Sequence, residues 1–148
     1  MTTMVKMMMT VAMAAGVTMS AGAADVTVTL EGNDKMQFNK KAFEVTSGDN
    51  VTLIFKNVGT LPKVAMGHNV VILKAGVAYA PFATAAISAA AHDYIPQDQK
   101  DKILAMSKLL GPGEVDTITF TAPAAGSYNF VCTFPGHFAL MNGVMTVK

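Results

Sequence analysis

Residues 126–148, "GSYNFVCTFPGHFALMNGVMTVK", contain two strand-like runs separated by a loop. Tyr128, Phe130 and Cys132 fall on alternate positions, the two-residue period of a strand with one buried face. Pro135 and Gly136 stop the run, and Gly143–Lys148 resumes it as a closing strand. The chain's single cysteine therefore stands where a core-facing strand gives way to a loop, and that loop also carries His137 and Met141.

Upstream segments repeat the same texture. "DVTVTL" places Val26, Val28 and Leu30 on one side, and Gly32-Asn33-Asp34 ends that strand as a turn. "KAFEVTSGDNVTLIFKN" predicts two strands about the turn Ser47–Asn50, and "HNVVIL" and "EVDTITFTAP" predict two more. Short strands at regular spacing with turn signals between them point to an antiparallel sandwich of about seven or eight strands. Between Gly76 and Leu110 the chain becomes rich in alanine, and its second half predicts a helix over about 97–109, ended by Gly111-Pro112-Gly113. This is a helical excursion from an otherwise all-β chain.

The N-terminus has a different character. Lys6 precedes an apolar run from Met7 to about Val17, followed by small residues ending in Ala21-Gly22-Ala23, the order of a secretory signal. The run is about half the length that a membrane span requires. The expectation is therefore a signal peptide over 1–23, cleaved after Ala23 or Ala24, and a single domain over 24–148 with no membrane span in the mature form. Cleavage would remove seven of the twelve methionines, so the mature chain is not methionine-rich. It would also remove Lys6, leaving ten lysines, no arginine and ten acids. A chain so balanced lacks the basic block that a nucleic-acid partner requires. Export would also place a lone thiol in an oxidising compartment, where it is buried and inert, paired between chains, or used as a ligand or nucleophile.

Cys132, His137 and Met141 are spaced C-x4-H-x3-M, and a four-residue step sets His137 and Met141 on one side of a helical turn. His68, in "MGHNVV", is the candidate fourth donor, at the junction of a loop and a strand. A thiolate, two imidazoles and a thioether form the ligand set of a blue-copper centre: one cysteine and two histidines in a plane, with a long, weak methionine contact. Soft sulfur stabilises Cu(I), and imidazole suits both oxidation states. Coordination would also remove the thiol proton and shield Cys132 from oxidation.

"EGNDKMQFN", "LPKVAMGHN", "LLGPGE" and "CTFPGHFALMNGVMTVK" resemble, in order and spacing, the azurin group of the cupredoxin family, from about Asp25 to Lys148. The resemblance implies an eight-stranded Greek-key β-sandwich with a helical flap inserted at about 77–110. It implies one type 1 copper, with His68, Cys132 and His137 in the plane, Met141 on the axis, and the backbone carbonyl of Gly67 as the other axial contact. The backbone N–H groups of Asn69 and Phe134 would point at the Cys132 sulfur. An apolar surface around an exposed edge of His137 would be formed by Met36, Leu61, Met66, Phe134 and Phe138. The family is one of electron carriers rather than enzymes, in the periplasm. A c-type cytochrome, or a copper- or quinone-containing oxidoreductase, would be the transient partner of a monomer.

The chain departs from the family at several places. Val26 and about Gly48 stand where a disulfide is expected, and a disulfide contributes about 2–4 kcal/mol. Val70 stands nearest the position of the core tryptophan, Asn57 and Met106 stand where other histidines would fall, and Phe138 replaces a small polar residue. Competing readings are a buried strand cysteine that packs as a small hydrophobe, a thiol nucleophile with a histidine base, and a site that holds or delivers zinc or Cu(I) without redox cycling.

Overall fold

The computed structural model describes residues 22–148, so the signal expected over 1–23 lies outside the described residues apart from Gly22 and Ala23. In chain order the elements are β1 (Asp25–Asn33), β2 (Gln37–Phe38), β3 (Ala42–Val45), β4 (Asn50–Asn57), α1 (Lys63–Met66), β5 (Val71–Leu73), α2 (Tyr79–Ala86), β6 (Ile103–Met106), β7 (Val115–Thr121), β8 (Gly126–Val131) and β9 (Asn142–Val147). They form two facing sheets, ordered β2-β1-β4-β7 and β3-β9-β8-β5-β6.

Each sheet turns its apolar alternation inward. Leu30 from β1 and Leu53 and Phe55 from β4 face Ile72, Phe130 and Met145 from the other sheet, all fully buried. Phe38 meets Phe55 edge-on at 6.0 Å and Phe130 at 5.4 Å, so one ring contacts both layers. A fully buried side chain of this size contributes about 1.5–3 kcal/mol. Val70, nearest the missing tryptophan, is completely enclosed.

The pairings are mixed rather than purely antiparallel. β1 runs parallel to β4, and β3 runs parallel to β9. The cause lies in the turn between β3 and β4, which crosses from one sheet to the other instead of closing a hairpin. Gly48, at φ 87°, bends the chain there. The turn's donors are satisfied from both layers: Ser47 N–H bonds the Lys148 carbonyl at 2.8 Å, and Gly48 N–H bonds the Ala122 carbonyl at 3.0 Å. The Asp49 carboxylate accepts from the backbone N–H of Thr46 at 2.8 Å and of Ala24 at 3.2 Å, which ties the start of the domain to this turn.

The helix expected over 97–109 is replaced by 3-10 turns over Gln97–Lys102 and by strand β6. Ile103–Met106 lies antiparallel to β5, with a bulge between Ile72 and Leu73. Pairing with an available sheet edge outweighs the segment's helical preference. The helix of the flap is instead α2, where Phe82, Ala83 and Ala86 face inward.

Candidate metal centre

The site sits at the end of the sandwich where β8 ends and β9 begins. Cys132 follows β8 directly, and its N–H bonds the Met141 carbonyl at 3.0 Å, closing the intervening loop at its base. Within the loop His137 N–H bonds Phe134 O at 3.1 Å, and the His137 carbonyl accepts from Met141 N–H at 2.8 Å, the step of one helical turn. Gly136 holds φ 81°, a left-handed conformation that admits glycine readily. His68 enters from the loop before β5, its backbone bonded in both directions to Leu110 at 3.1 and 2.7 Å.

These elements bring together one donor atom each from His68, Cys132 and His137, all within 4.8 Å of one another and all buried. The Cys132 Sγ lies 4.0 Å from His68 Nδ1 and 3.7 Å from His137 Nδ1. Three donors each roughly 2.0–2.3 Å from a common centre would stand about 3.5–4 Å apart, so the trio has the spacing of a trigonal ligand set. His68 Nε2 donates to the Asn33 carbonyl at 2.8 Å. That bond fixes the tautomer and leaves the Nδ1 lone pair toward the sulfur.

Electrostatics describe a site that is neutral without metal. Burial pushes the Cys132 thiol up to about 11, opposed by the backbone N–H groups of Asn69 and Phe134 that donate to its sulfur. Burial pushes His137 down to about 4, reinforced by the neighbouring His68. His68 is also lowered by burial, opposed by the Asn33 carbonyl and Asp34. Two unprotonated imidazoles and one thiol therefore wait in the fold, and only Cys132 has to lose a proton to bind a cation. The residues fit a soft, cysteine-bound metal.

Met141 is completely buried. Its Cε and the His68 ring both crowd Gly32, where an added Cβ would lie 3.2 Å from the Met141 methyl and 3.1 and 3.2 Å from His68 ring carbons. Gly32 is thus a strand residue of β1, paired with Phe38 and Asn57, rather than part of the turn expected there. A glycine inside an apolar alternation signals such close approach, and the adjoining Asn-Asp masked it. Gly67 is glycine for a similar reason. Its backbone is extended at φ −65°, not a glycine-only turn, and a Cβ there would come within 2.8 Å of the Lys63 carbonyl and 3.2 Å of Leu109 and Phe134.

The expected apolar surface divides. Leu61 is exposed and Met36 and Met66 are partly so, whereas Phe134 is buried in the core. Phe138 packs under the flap against a second cluster that includes Phe82 and Val131. His137 is 3% exposed, so at most a narrow edge of it reaches solvent. Val64, 89% exposed on the α1 turn that leads into His68, was not anticipated. A four-residue helix shows no periodicity from which its outward face could be read. Asn57 is buried, donates to the Leu110 carbonyl at 3.0 Å and accepts from Gly59 N–H at 2.9 Å, while Met106 is exposed.

A β-sandwich carrying a buried cysteine and two histidines at ligand spacing defines the type 1 copper proteins. The model of the family described as copper binding proteins, plastocyanin/azurin family, matches residues 24–148. The chain belongs to that family. It is 42% identical over 128 residues to outer membrane protein H.8 of Neisseria gonorrhoeae, covering 84% of this chain and 69% of that protein. It is 39% identical over 130 residues to azurin of Pseudomonas aeruginosa, covering 85% and 87%. The solved structure of auracyanin A, a blue copper protein of Chloroflexus aurantiacus, superposes with a TM-score of 0.76 at 38% identity, covering 84% of this chain and all of that one.

Proposed function

We propose that this chain is an exported single-electron carrier that holds one type 1 copper at His68, Cys132 and His137, with Met141 and the Gly67 carbonyl as weak outer donors. A copper ion held there supplies the Cu(II)/Cu(I) couple. The observation that carries the proposal is the donor spacing already present in the protein: Sγ to Nδ1 at 4.0 and 3.7 Å, with His68 tied to Asn33. Side chains fixed before metal arrives keep their positions when the charge changes, so little reorganisation accompanies electron exchange.

The same geometry weighs against thiol catalysis. Cys132 has no exposed surface, and its proton is retained up to about pH 11, which makes it a poor nucleophile. The Asn69 and Phe134 amides stabilise negative charge on the sulfur and thereby tune the potential.

Leu61, Val64, Met66 and Met36, exposed or partly exposed on the segments that lead to His68 and follow Asn33, supply apolar surface suited to brief encounters with a c-type cytochrome or a copper- or quinone-containing oxidoreductase. Export to the periplasm, with residues 1–23 removed, is supported by the charged, apolar and small-residue order of the N-terminus. The H.8 relative, by its name an outer membrane protein, points to the same cell envelope. Among the described residues no helix is long and apolar enough to cross a membrane.

Titration of the metal-free domain with Cu(II), followed by ascorbate, tests the proposal. An intense blue absorption that saturates at one equivalent and bleaches on reduction is expected. A pale product, or one that ascorbate leaves unchanged, would overturn the carrier reading in favour of a redox-silent metal-holding protein.

A further inference from the structure

The two histidines of the centre are held by different means. His68 is fixed by a hydrogen bond from Nε2 to a backbone carbonyl. Among the described residues the His137 ring has no hydrogen-bond partner besides the Cys132 sulfur, so packing has to set its plane. Phe134 lies over it, centroids 4.6 Å apart and planes inclined by 37°. Phe134 is met edge-on by Tyr94, at 5.2 Å and 65°. Phe138, the residue after His137, is partly buried and packs against the cluster of Val71, Leu73, Phe82, Ala83, Ile95 and Val131. Phe82 and Ala83 belong to α2, and Ile95 follows Tyr94. One flap segment therefore grips the metal-binding loop three residues before His137 and one residue after it.

The backbone of that segment is unusual. Asp93 and Tyr94 are both left-handed, at φ 53° and 59°, although neither is glycine. Such conformations persist only where the surrounding structure imposes them. Here they reverse the chain after the 3-10 turn Ala90–His92, with Tyr94 N–H bonded to the Ala89 carbonyl at 2.9 Å and Ile95 N–H to that of His92 at 3.0 Å. The reversal sends adjacent side chains apart, Tyr94 toward the sandwich core and Ile95 into the cluster beneath α2.

We propose that the flap is an outer clamp on the metal-binding loop, in which Tyr94 and Phe138 are positioning residues that fix the His137 ring at its place beside Cys132. The clamp is a property of the protein before loading. Its role in retaining metal rests on the copper reading above.

The test compares Tyr94→Ala and Phe138→Ala with Tyr94→Phe, which keeps the ring, and with Val45→Ala. Val45 lies in β3, paired with Val147 at the opposite end of the sandwich from the loop, so its truncation lowers stability without touching the clamp. In the metal-free proteins, imidazole nitrogen NMR reports the His137 ring. The two clamp variants should show it broadened by exchange between orientations, while Tyr94→Phe and Val45→Ala keep the wild-type signal. In the copper-loaded proteins, metal loss to excess EDTA should accelerate by roughly 2- to 10-fold in the clamp variants, the weight of one aromatic pair. Wild-type ring signals and release rates in Tyr94→Ala, or equal acceleration in Val45→Ala, would overturn the clamp. Failure of the wild-type protein to take up copper would overturn the carrier reading alone, because the metal-free NMR still judges the clamp.

Discussion

Replacing Gly32 with alanine tests whether the metal centre is built against strand β1. The backbone at Gly32 is not left-handed, so alanine is conformationally admissible and gains about 0.5–1 kcal/mol over glycine in a strand. Against this gain, the new Cβ would lie 3.1 and 3.2 Å from Cδ2 and Cγ of His68 and 3.2 Å from Cε of Met141. Carbon atoms pack comfortably at about 3.5–4.0 Å, so each neighbour has to retreat by a few tenths of an ångström. The Met141 methyl ends a flexible side chain and can yield. The His68 ring cannot do so freely, because Nε2 is held by Asn33 at 2.8 Å and its backbone is bonded to Leu110 in both directions. Overpacking of this kind costs about 1–3 kcal/mol, which leaves a net loss of up to about 2.5 kcal/mol, centred near ~1 kcal/mol. Urea unfolding of the metal-free protein should show a lower midpoint with an unchanged slope. The copper-loaded protein should keep one equivalent of metal while its blue band moves in position or intensity. A variant more stable than wild type, with an unaltered spectrum, would refute the reasoning, since His68 and Met141 would then not be held against β1.

Asp49→Ala removes a buried carboxylate that accepts two backbone hydrogen bonds, so a loss of about 2–3 kcal/mol in urea unfolding is expected; a loss under half of that would mean the turn is held by Ser47 and Gly48 alone. The metal-free protein should lose stability on acidification, because His137 titrates at about 4 in the fold against 6.5 in the unfolded chain. The unfolded state then binds more protons, so stability is complete above about pH 6.5 and declines toward pH 4. The shift amounts to about 3 kcal/mol, reduced to about 2 by screening at the ring edge. A thermal midpoint that stays flat across that window contradicts this account. Met141→Leu should keep the blue colour and raise the reduction potential, because a weak donor to Cu(II) is lost; a colourless protein would remove Met141 from the outer position.

Of the nine strands among the described residues, seven are legible as alternating or β-branched runs, because that signal is local. β2 spans two residues and offers no period to detect. β6 was hidden by composition: "ILAM" between lysines suits a helix face as well as a sheet edge, and only the proximity of β5 decides between them. The parallel pairings were hidden for a related reason. Ser47-Gly48-Asp49-Asn50 has the residues of a hairpin turn, but the Ser47 and Gly48 donors are taken by Lys148 and Ala122, which lie more than seventy positions away in sequence. The destination of those bonds is a property of the closed sandwich.

The centre divides along the same line. Cys132, His137 and Met141 lie within one short loop, so their convergence follows from strand period, a Pro-Gly turn and a four-residue step. His68 stands 64 positions from Cys132, and the Asn33 carbonyl that orients it stands 35 positions from His68; their donor chemistry is visible in sequence, but their meeting is not. Residue type alone does not place Phe138, since an aromatic beside a ligand suits an exposed rim or a wedge against the core equally. The flap resolves it by presenting Phe82, Ala83 and Ile95 as a pocket floor. The residues that bind could therefore be read from chemistry, while the residues that aim them (Gly32 by its missing side chain, Tyr94 and Phe138 by packing) are defined only by the surfaces they meet. Substitutions at these positions should accordingly alter the centre's rigidity and spectrum while leaving its donor set intact.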